Sequence, residues 1–141
     1  KFNNKILHQS KLLNYFIKDL NNEKISKDAN EILKKIKSNK KYKFSRKDKI
    51  LLDSLRYDGI DIQKKYDNLY EKDPNIPTDL QVLINNNNIG MILLRLVEII
   101  GEDQIENLGT ETLYFITAVL NETNLDNLRN KIIIKTLPNR V

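Results

Sequence analysis

The sequence predicts an all-α protein of about eight helices, arranged as antiparallel hairpins in an irregular bundle or a short α-solenoid. Apolar residues recur with the helical period of about 3.6 along almost the whole chain, and strict alternation is nearly absent. Only four Gly and three Pro occur among 141 residues, too few for the many turns of an all-β fold. A chain of this length can bury a core without disulfides, which agrees with the absence of Cys.

The first two predicted helices are amphipathic, each with one apolar stripe. The first spans about residues 5–20, and its stripe consists of Leu12, Leu13, Phe16, Ile17 and Leu20. The second follows Ser26, a favourable N-cap with Asp28 in the first turn. Its apolar side consists of Ala29, Ile32, Leu33 and Ile36. We therefore expect both helices to pack through one face only.

The next two helices are predicted to form a short-linked antiparallel pair. Ser45 and Asp48 have the spacing of a capping box, so a helix is expected to begin there. Its apolar residues are Ile50, Leu51, Leu52 and Leu55. Asp58-Gly59 provides a turn that ends it. A fourth helix is indicated by apolar residues at i, i+4, i+7 and i+8, namely Ile62, Tyr66, Leu69 and Tyr70.

A proline boundary at residues 73–77 divides the chain into two groups of hairpins. Two prolines in four residues disfavour helix there. Residues 1–72 carry 19 Lys and Arg against 10 Asp and Glu, a balance of +9, whereas residues 73–141 carry 5 against 9, a balance of −4. We expect basic hairpins over 1–72 and apolar hairpins over 78–141, packed together as one compact domain.

Four helices are predicted after the boundary. Thr78 caps the first, with Leu80, Leu83 and Ile84 facing inward, and four consecutive Asn at 85–88 then favour a turn. A strongly apolar helix spans residues 89–100 and ends near Gly101. The third helix runs from Thr110 to Asn121. The last begins at Thr123 or Asn124 and ends near Leu137 or Pro138.

The apolar half also contains an internal similarity. A shift of 36 residues superposes Leu80 on Ile116, Asn85 on Asn121, Asn88 on Asn124 and Ile92 on Leu128. Each copy reads as a helix, an Asn-x-x-Asn turn and a second helix, and 36 residues is close to the length of a tetratricopeptide-type unit. Only two copies align and the signature positions of that class are not met, so chance periodicity in a helical bundle is the alternative.

Candidate catalytic groups are scarce. His8 is the single histidine, and without a second His or any Cys to join it, a half-exposed surface histidine is the favoured interpretation. The carboxylates Asp58 and Asp61 lack the continuation of a calcium loop, and those at 102, 103 and 106 read as a solvated connection. The four Gly are isolated, which excludes a phosphate-binding loop. We predict no catalytic residue, cofactor or metal site.

The stretch 34–49 is the candidate for contact with anions. Its basic and aromatic residues are Lys37, Lys40, Lys41, Tyr42, Lys43, Phe44, Arg46, Lys47 and Lys49. Lysines release counterions from a phosphate backbone and aromatic rings stack on bases, so single-stranded RNA or DNA is one hypothetical partner. Against it, Lys, Asn and Ile each occur 19 times, a composition typical of AT-rich genomes in which lysine is a weak indicator of nucleic acid.

A protein partner is the leading hypothesis, with the chain acting as a non-enzymatic interaction or scaffold module. Arg95 and Glu98 are the only charges in the apolar helix, at the i, i+3 spacing of an ion pair or of a polar spot in a groove. Ile134 and Leu137 widen the apolar surface of the last helix beyond a single stripe. We predict a partner groove at these four residues, occupied by another protein or by a second copy of the chain.

The sequence does not predict a membrane span or a compartment. The longest apolar segment, residues 89–100, is interrupted by two charges and is shorter than the about 18–20 residues that a spanning helix needs. The sequence begins at Lys1 and not at Met, so a signal or anchor upstream is left open.

Overall fold

A computed structural model describes residues 11–39, 41, 42, 44–69 and 75–139. Residues 11–17 are helical and are called α1 below. The other α-helices are α2 (Asn22–Ser38), α3 (Arg46–Tyr57), α4 (Thr78–Asn85), α5 (Ile89–Ile100), α6 (Thr110–Glu122) and α7 (Asp126–Thr136). Short 3-10 helices are formed by Lys64–Leu69, Ile105–Asn107 and Leu137–Asn139. The described part of the chain contains no strand, and the predicted all-α class is confirmed.

Two local predictions in the basic half are wrong. The N-cap of α2 is Asn21, whose side chain accepts from the Glu23 amide at 2.7 Å, and not Ser26. Ser26 lies one turn inside the helix, where its hydroxyl donates to the carbonyl of Asp61. The fourth helix is a six-residue 3-10 helix. The segment before it is hydrogen bonded to side chains of α2, and the predicted helical residue Tyr70 lies outside the described residues.

The side chain of Asn30 makes that attachment. Its amide nitrogen donates to the Asp61 carbonyl at 3.0 Å, and its oxygen accepts from the Gln63 amide at 2.9 Å. One side chain thus satisfies two backbone groups of the segment at the start of the predicted helix.

The capping signals around α3 are confirmed. Ser45 accepts from the Asp48 amide at 3.1 Å, and the Asp48 carboxylate accepts from the Ser45 amide at 2.9 Å, which is the reciprocal capping box. The helix ends at a turn in which Gly59 has a φ of 85°, a conformation that glycine adopts without strain.

The ends of α4 and α6 have the same backbone geometry. Asn87 and Asn124 have φ values of 53° and 58°. The Asn88 amide donates to the Leu83 carbonyl at 2.9 Å, and the Leu125 amide donates to the Leu120 carbonyl at 3.0 Å. Both are Schellman caps, and the next helix begins two residues after the left-handed residue in each case. The two corners are therefore related by 37 residues, one more than the hydrophobic pattern suggested.

The core is built around α3. Its residues Ile50, Leu51, Leu52 and Leu55 are fully buried. The principal helix–helix contact joins α3 to α6, which buries Leu113, Ile116, Val119 and Leu120. The basic half thus supplies the central helix against which the apolar half packs. None of the described helices is long and apolar enough to cross a membrane.

Candidate interaction surface

Helix α5 is the most apolar helix of the described chain, yet it buries little of its side-chain surface. Asn88 accepts from the Met91 amide at its N-cap, and Gly101, with a φ of 64°, ends it, so its bounds match the sequence prediction. Of its 12 residues only Ile92 and Leu96 are buried. The fully buried part of α5 is therefore confined to one narrow stripe, formed by Ile92 and Leu96.

The opposite side of α5 is an exposed apolar face. Met91, Leu94 and Val97 have 45%, 51% and 62% of their surface exposed. They recur every third residue, and Gly90 lies on the same side at i−4 from Leu94. Apart from its chain neighbours and the backbone of α5, no atom lies within 4 Å of the Cβ position at Gly90, so the helix surface there is open to an approaching group. We call these four residues the α5 face.

Carboxylates border the C-terminal end of this face. Glu98 is exposed in the last turn of α5, and Glu102 and Asp103 are exposed in the connection that follows. The N-terminal end carries the neutral Asn85–Asn88 run, also exposed. The surroundings of the α5 face are therefore negative at one end and uncharged at the other.

Arg95 joins α5 to α4. Its guanidinium forms an ion pair with Asp79 in the first turn of α4, on a neighbouring helix and not within α5. Hydrogen bonding from Arg95 lowers the pKa of the Asp79 carboxyl below its ordinary value of 3.8. The ion pair therefore connects the two helices of the hairpin, while Glu98 is exposed.

The four predicted groove residues lie on two helices and in the core. Arg95 and Glu98 lie on α5, and Ile134 is exposed on α7. Leu137 is fully buried in the core, where it begins the last 3-10 helix. The sequence analysis placed the surplus of apolar surface on the last helix, through Ile134 and Leu137. Ile134 is 40% exposed, whereas Leu137 uses its apolar surface inside the molecule.

Arg129 is the residue that sequence reasoning missed. Its side chain is 0% exposed, and one guanidinium nitrogen donates to both oxygens of Asp58 at 2.9 and 2.8 Å. The other terminal nitrogen donates to the Asn121 side chain at 2.9 Å and to the Ser54 carbonyl at 3.4 Å. The Phe16 ring lies 5.9 Å away. Arg129 thus links α1, α3, α6 and α7.

A signal for Arg129 was present in the sequence. The residue stands four positions after Leu125 and four before Ile133, inside the apolar stripe of the last helix. An arginine at such a position needs a buried acid, and Asp58 at the end of α3 is that acid. This contact assigns a structural role to one of the carboxylates weighed as a cation ligand.

Tyr15 on α1 adjoins the same ion pair. Burial raises the pKa of its hydroxyl above the ordinary value of 10.0, and the charge of Asp58 raises it further. Tyr15 also hydrogen bonds to Asp58. The neutral phenol is therefore the form that the fold stabilises.

The basic stretch divides into an exposed part and a packed part. Lys37 and Lys41 are exposed, Tyr42 and Phe44 are half-buried, and Lys40 and Lys43 lie outside the described residues.

The cations nearest α3 make contacts within the protein. Arg46 is ion-paired with Glu111 at 2.7 Å. Lys47 and Lys49 are buried, and Lys49 lies 3.3 Å from Asp53. Arg46 and Lys49 also lie over the Tyr114 ring at 4.9 and 5.5 Å. The cations nearest α3 thus serve internal contacts.

A polar cavity of about 680 Å³ lies between α3, α6, α4 and the segment that precedes α4. The polar residues that line it include Asp53, Arg56, Tyr57, Gln81, Asn121 and Glu122. These groups bond within the protein: Arg56 pairs with Asp67, Gln81 bonds to Asn85, and the Tyr57 hydroxyl donates to Glu122 at 3.3 Å. Asp53 and Asn121 have partners as well, Lys49 and Arg129, so all six of these polar residues bond within the protein.

Metal ligands and histidine give no further candidate. No group of three or more His, Cys, Asp or Glu with the geometry of a metal site occurs within the described ranges. His8 lies outside them. Comparison with protein-family models, with curated proteins and with solved structures gives no match to this chain.

Proposed function

We propose that this protein is a non-enzymatic interaction module that docks another polypeptide on the α5 face. The observation that carries the proposal is the burial of only two residues of a 12-residue apolar helix. Contiguous exposed apolar patches on folded proteins mark contact sites for other molecules. A helix with this composition would otherwise be expected to lie in a core.

The energy available at the face fits a reversible contact. Full burial of a Leu, Val or Met side chain contributes about 1.5–3 kcal/mol. Because the three side chains are already about half buried, covering their remaining surface contributes on the order of 3 kcal/mol. Association also carries an entropic cost, so the face alone supports weak binding, and flanking polar contacts are required for selectivity.

Two helical hairpins form the scaffold for this surface. The shared corner geometry of α4–α5 and α6–α7, offset by 37 residues, supports a repeat-like arrangement of hairpins. In such arrays each hairpin is covered by its neighbour. The α6 side is covered by α3. The α5 face is then the surface on which a further helical element would stack.

The basic stretch is the less favoured contact site. Arg46, Lys47 and Lys49 are held by internal ion pairs, ring contacts or burial, so fewer cations remain for a phosphate backbone than the sequence count implies. Its two described aromatic side chains are half-buried and contact neighbouring groups of the protein.

The test is site-specific photocrosslinking in cells that express the protein. A photoreactive residue at Val97 is expected to yield a discrete adduct, whereas the same residue at the exposed Lys34 of α2 is not. Leu94→Asp should remove the adduct and leave the protein folded, with a loss of stability of about 1–2 kcal/mol, since only half of the side chain is buried. Equal adducts at both positions, or none at Val97, would remove the proposal.

A further inference from the structure

We infer that the occupant of the α5 face is a second copy of this chain, paired through antiparallel α5 helices about a two-fold axis at Leu94. The inference rests on the proposed function and names the partner. Isologous contacts of this kind require a surface that is complementary to itself. The arrangement of residues along the α5 face meets that requirement.

The face is symmetric about Leu94. In an antiparallel pair centred there, Leu94 meets Leu94 of the second copy. Met91 meets Val97, and Gly90 meets Glu98, because each pair of positions is equidistant from the centre. Apolar side chains thus face apolar side chains. The one charged side chain on this side meets the one residue without a side chain.

The charges select the antiparallel direction. Helix α5 has no acidic residue in its first turn, so the positive end of its dipole lacks a carboxylate in its own helix. Glu98 of the second copy would lie at that end, beside an Asn run whose amides are donors. A parallel pair would instead place Glu98, Glu102 and Asp103 against the same acids.

The open space at Gly90 supports this placement. No atom other than its chain neighbours and the backbone of α5 lies within 4 Å of the position where its Cβ would be, and the residue is exposed. A carboxylate from outside can therefore approach the amides of the first turn without displacing a side chain. A bulkier residue there would hold the helices apart.

The size of the helix sets the strength of the pair. Twelve residues extend about 18 Å, and a stable interface generally buries about 800 Å² on each partner, more than one short helix supplies. The dissociation constant of the dimer is therefore expected to lie in the micromolar range or above.

Sedimentation of the full chain between about 10 μM and 1 mM should show a concentration-dependent monomer–dimer equilibrium. Leu94→Asp should weaken association at least about tenfold.

Single cysteines provide the geometric test, because the chain contains none of its own. Leu94→Cys should form a disulfide-linked dimer on mild oxidation, whereas Lys34→Cys on exposed α2 should not. Orientation is tested by mixing Gly90→Cys with Glu98→Cys copies. In the antiparallel pair position 90 lies near position 98 of the other copy, and the two 90 positions are about 12 Å apart along the axis, beyond disulfide reach. The mixture should therefore cross-link faster than Gly90→Cys alone.

The outcomes separate this inference from the proposed function. Faster linkage of Gly90→Cys alone would refute the antiparallel register. A monomer up to about 1 mM, with the Val97 crosslinker attached to a different protein, would overturn self-pairing and leave the docking function standing. A monomer with no specific adduct at Val97 would remove both.

Discussion

Replacing Arg129 with methionine tests the ion pair that joins the two halves of the protein. The guanidinium is 0% exposed and donates to the Asp58 carboxylate, to the Asn121 side chain and to a carbonyl of α3. Methionine keeps much of the apolar length of the side chain but removes every donor. Asp58, only 11% exposed, then keeps a charge without its cation.

The expected loss is large for one substitution. Removing one partner of a buried pair costs about 3–5 kcal/mol, because the remaining charge stays desolvated and uncompensated. Total stability of a domain this size is about 5–15 kcal/mol, so Arg129→Met should be marginally folded. Asp58→Asn in the same chain removes the stranded charge. The double variant should therefore be more stable than Arg129→Met by at least about 1 kcal/mol.

Urea denaturation followed by far-ultraviolet circular dichroism measures these differences. The matched control is Arg56→Met, because Arg56 makes a short 2.6 Å pair with Asp67 but both side chains are about 40% exposed. Loss of an exposed pair costs about 0–1 kcal/mol. If Arg129→Met failed to fold alone, the double variant would still report on the pair.

Equal losses for Arg129→Met and Arg56→Met would refute the reasoning. So would a double variant no more stable than Arg129→Met, since that result would show that no charge had been stranded. Either result would mean that solvent reaches the guanidinium of Arg129.

The remaining predictions concern local backbone and pH. Ser45→Ala should lower the free energy of unfolding by about 1 kcal/mol, because the capping box is lost. Ser38→Ala, at an exposed helix end, should lower it by less than about 0.5 kcal/mol. Equal denaturation midpoints for the two variants would contradict this prediction. Gly59→Ala should lower the free energy of unfolding by about 1 kcal/mol, because the φ of Gly59 is 85°. Gly90→Ala, at an open helical position, should raise it by up to about 1 kcal/mol. A loss of stability at both sites would refute this pair of predictions. The folded state holds the Tyr15 proton more tightly than the unfolded state, so that contribution is complete below pH 10.0 and is lost as pH rises through the folded pKa. The stability advantage of the wild type over Tyr15→Phe should therefore shrink above pH 10.0 in urea titrations, and a constant difference would disprove the assignment.

The local features that the sequence predicted depend on neighbouring residues. Three examples are the capping box at Ser45, the turn at Gly59 and the bounds of α5. Each depends on residues within four positions of the backbone concerned. Such signals survive in any tertiary context because the atoms involved are close along the chain.

Register and helix type were less predictable because apolar patterns are degenerate. A shift of 36 residues aligns more apolar residues, whereas the hydrogen bonds at Asn87 and Asn124 establish 37. The apolar pattern over residues 62–70 is consistent with an α-helix, but Asn30 binds the backbone of Asp61 and Gln63 at its start, and Lys64–Leu69 form a 3-10 helix.

The sequence by itself determined that this protein is helical, where its hairpins turn and that the helix over residues 89–100 is strongly apolar. Only the tertiary structure decided that Leu137 is buried, that Lys47 and Lys49 serve internal packing, and that Met91, Leu94 and Val97 stay exposed. It also paired Arg129 with Asp58, 71 residues earlier in the chain. Burial is a property of three-dimensional packing, and a residue's periodicity states which face it occupies but not what covers that face.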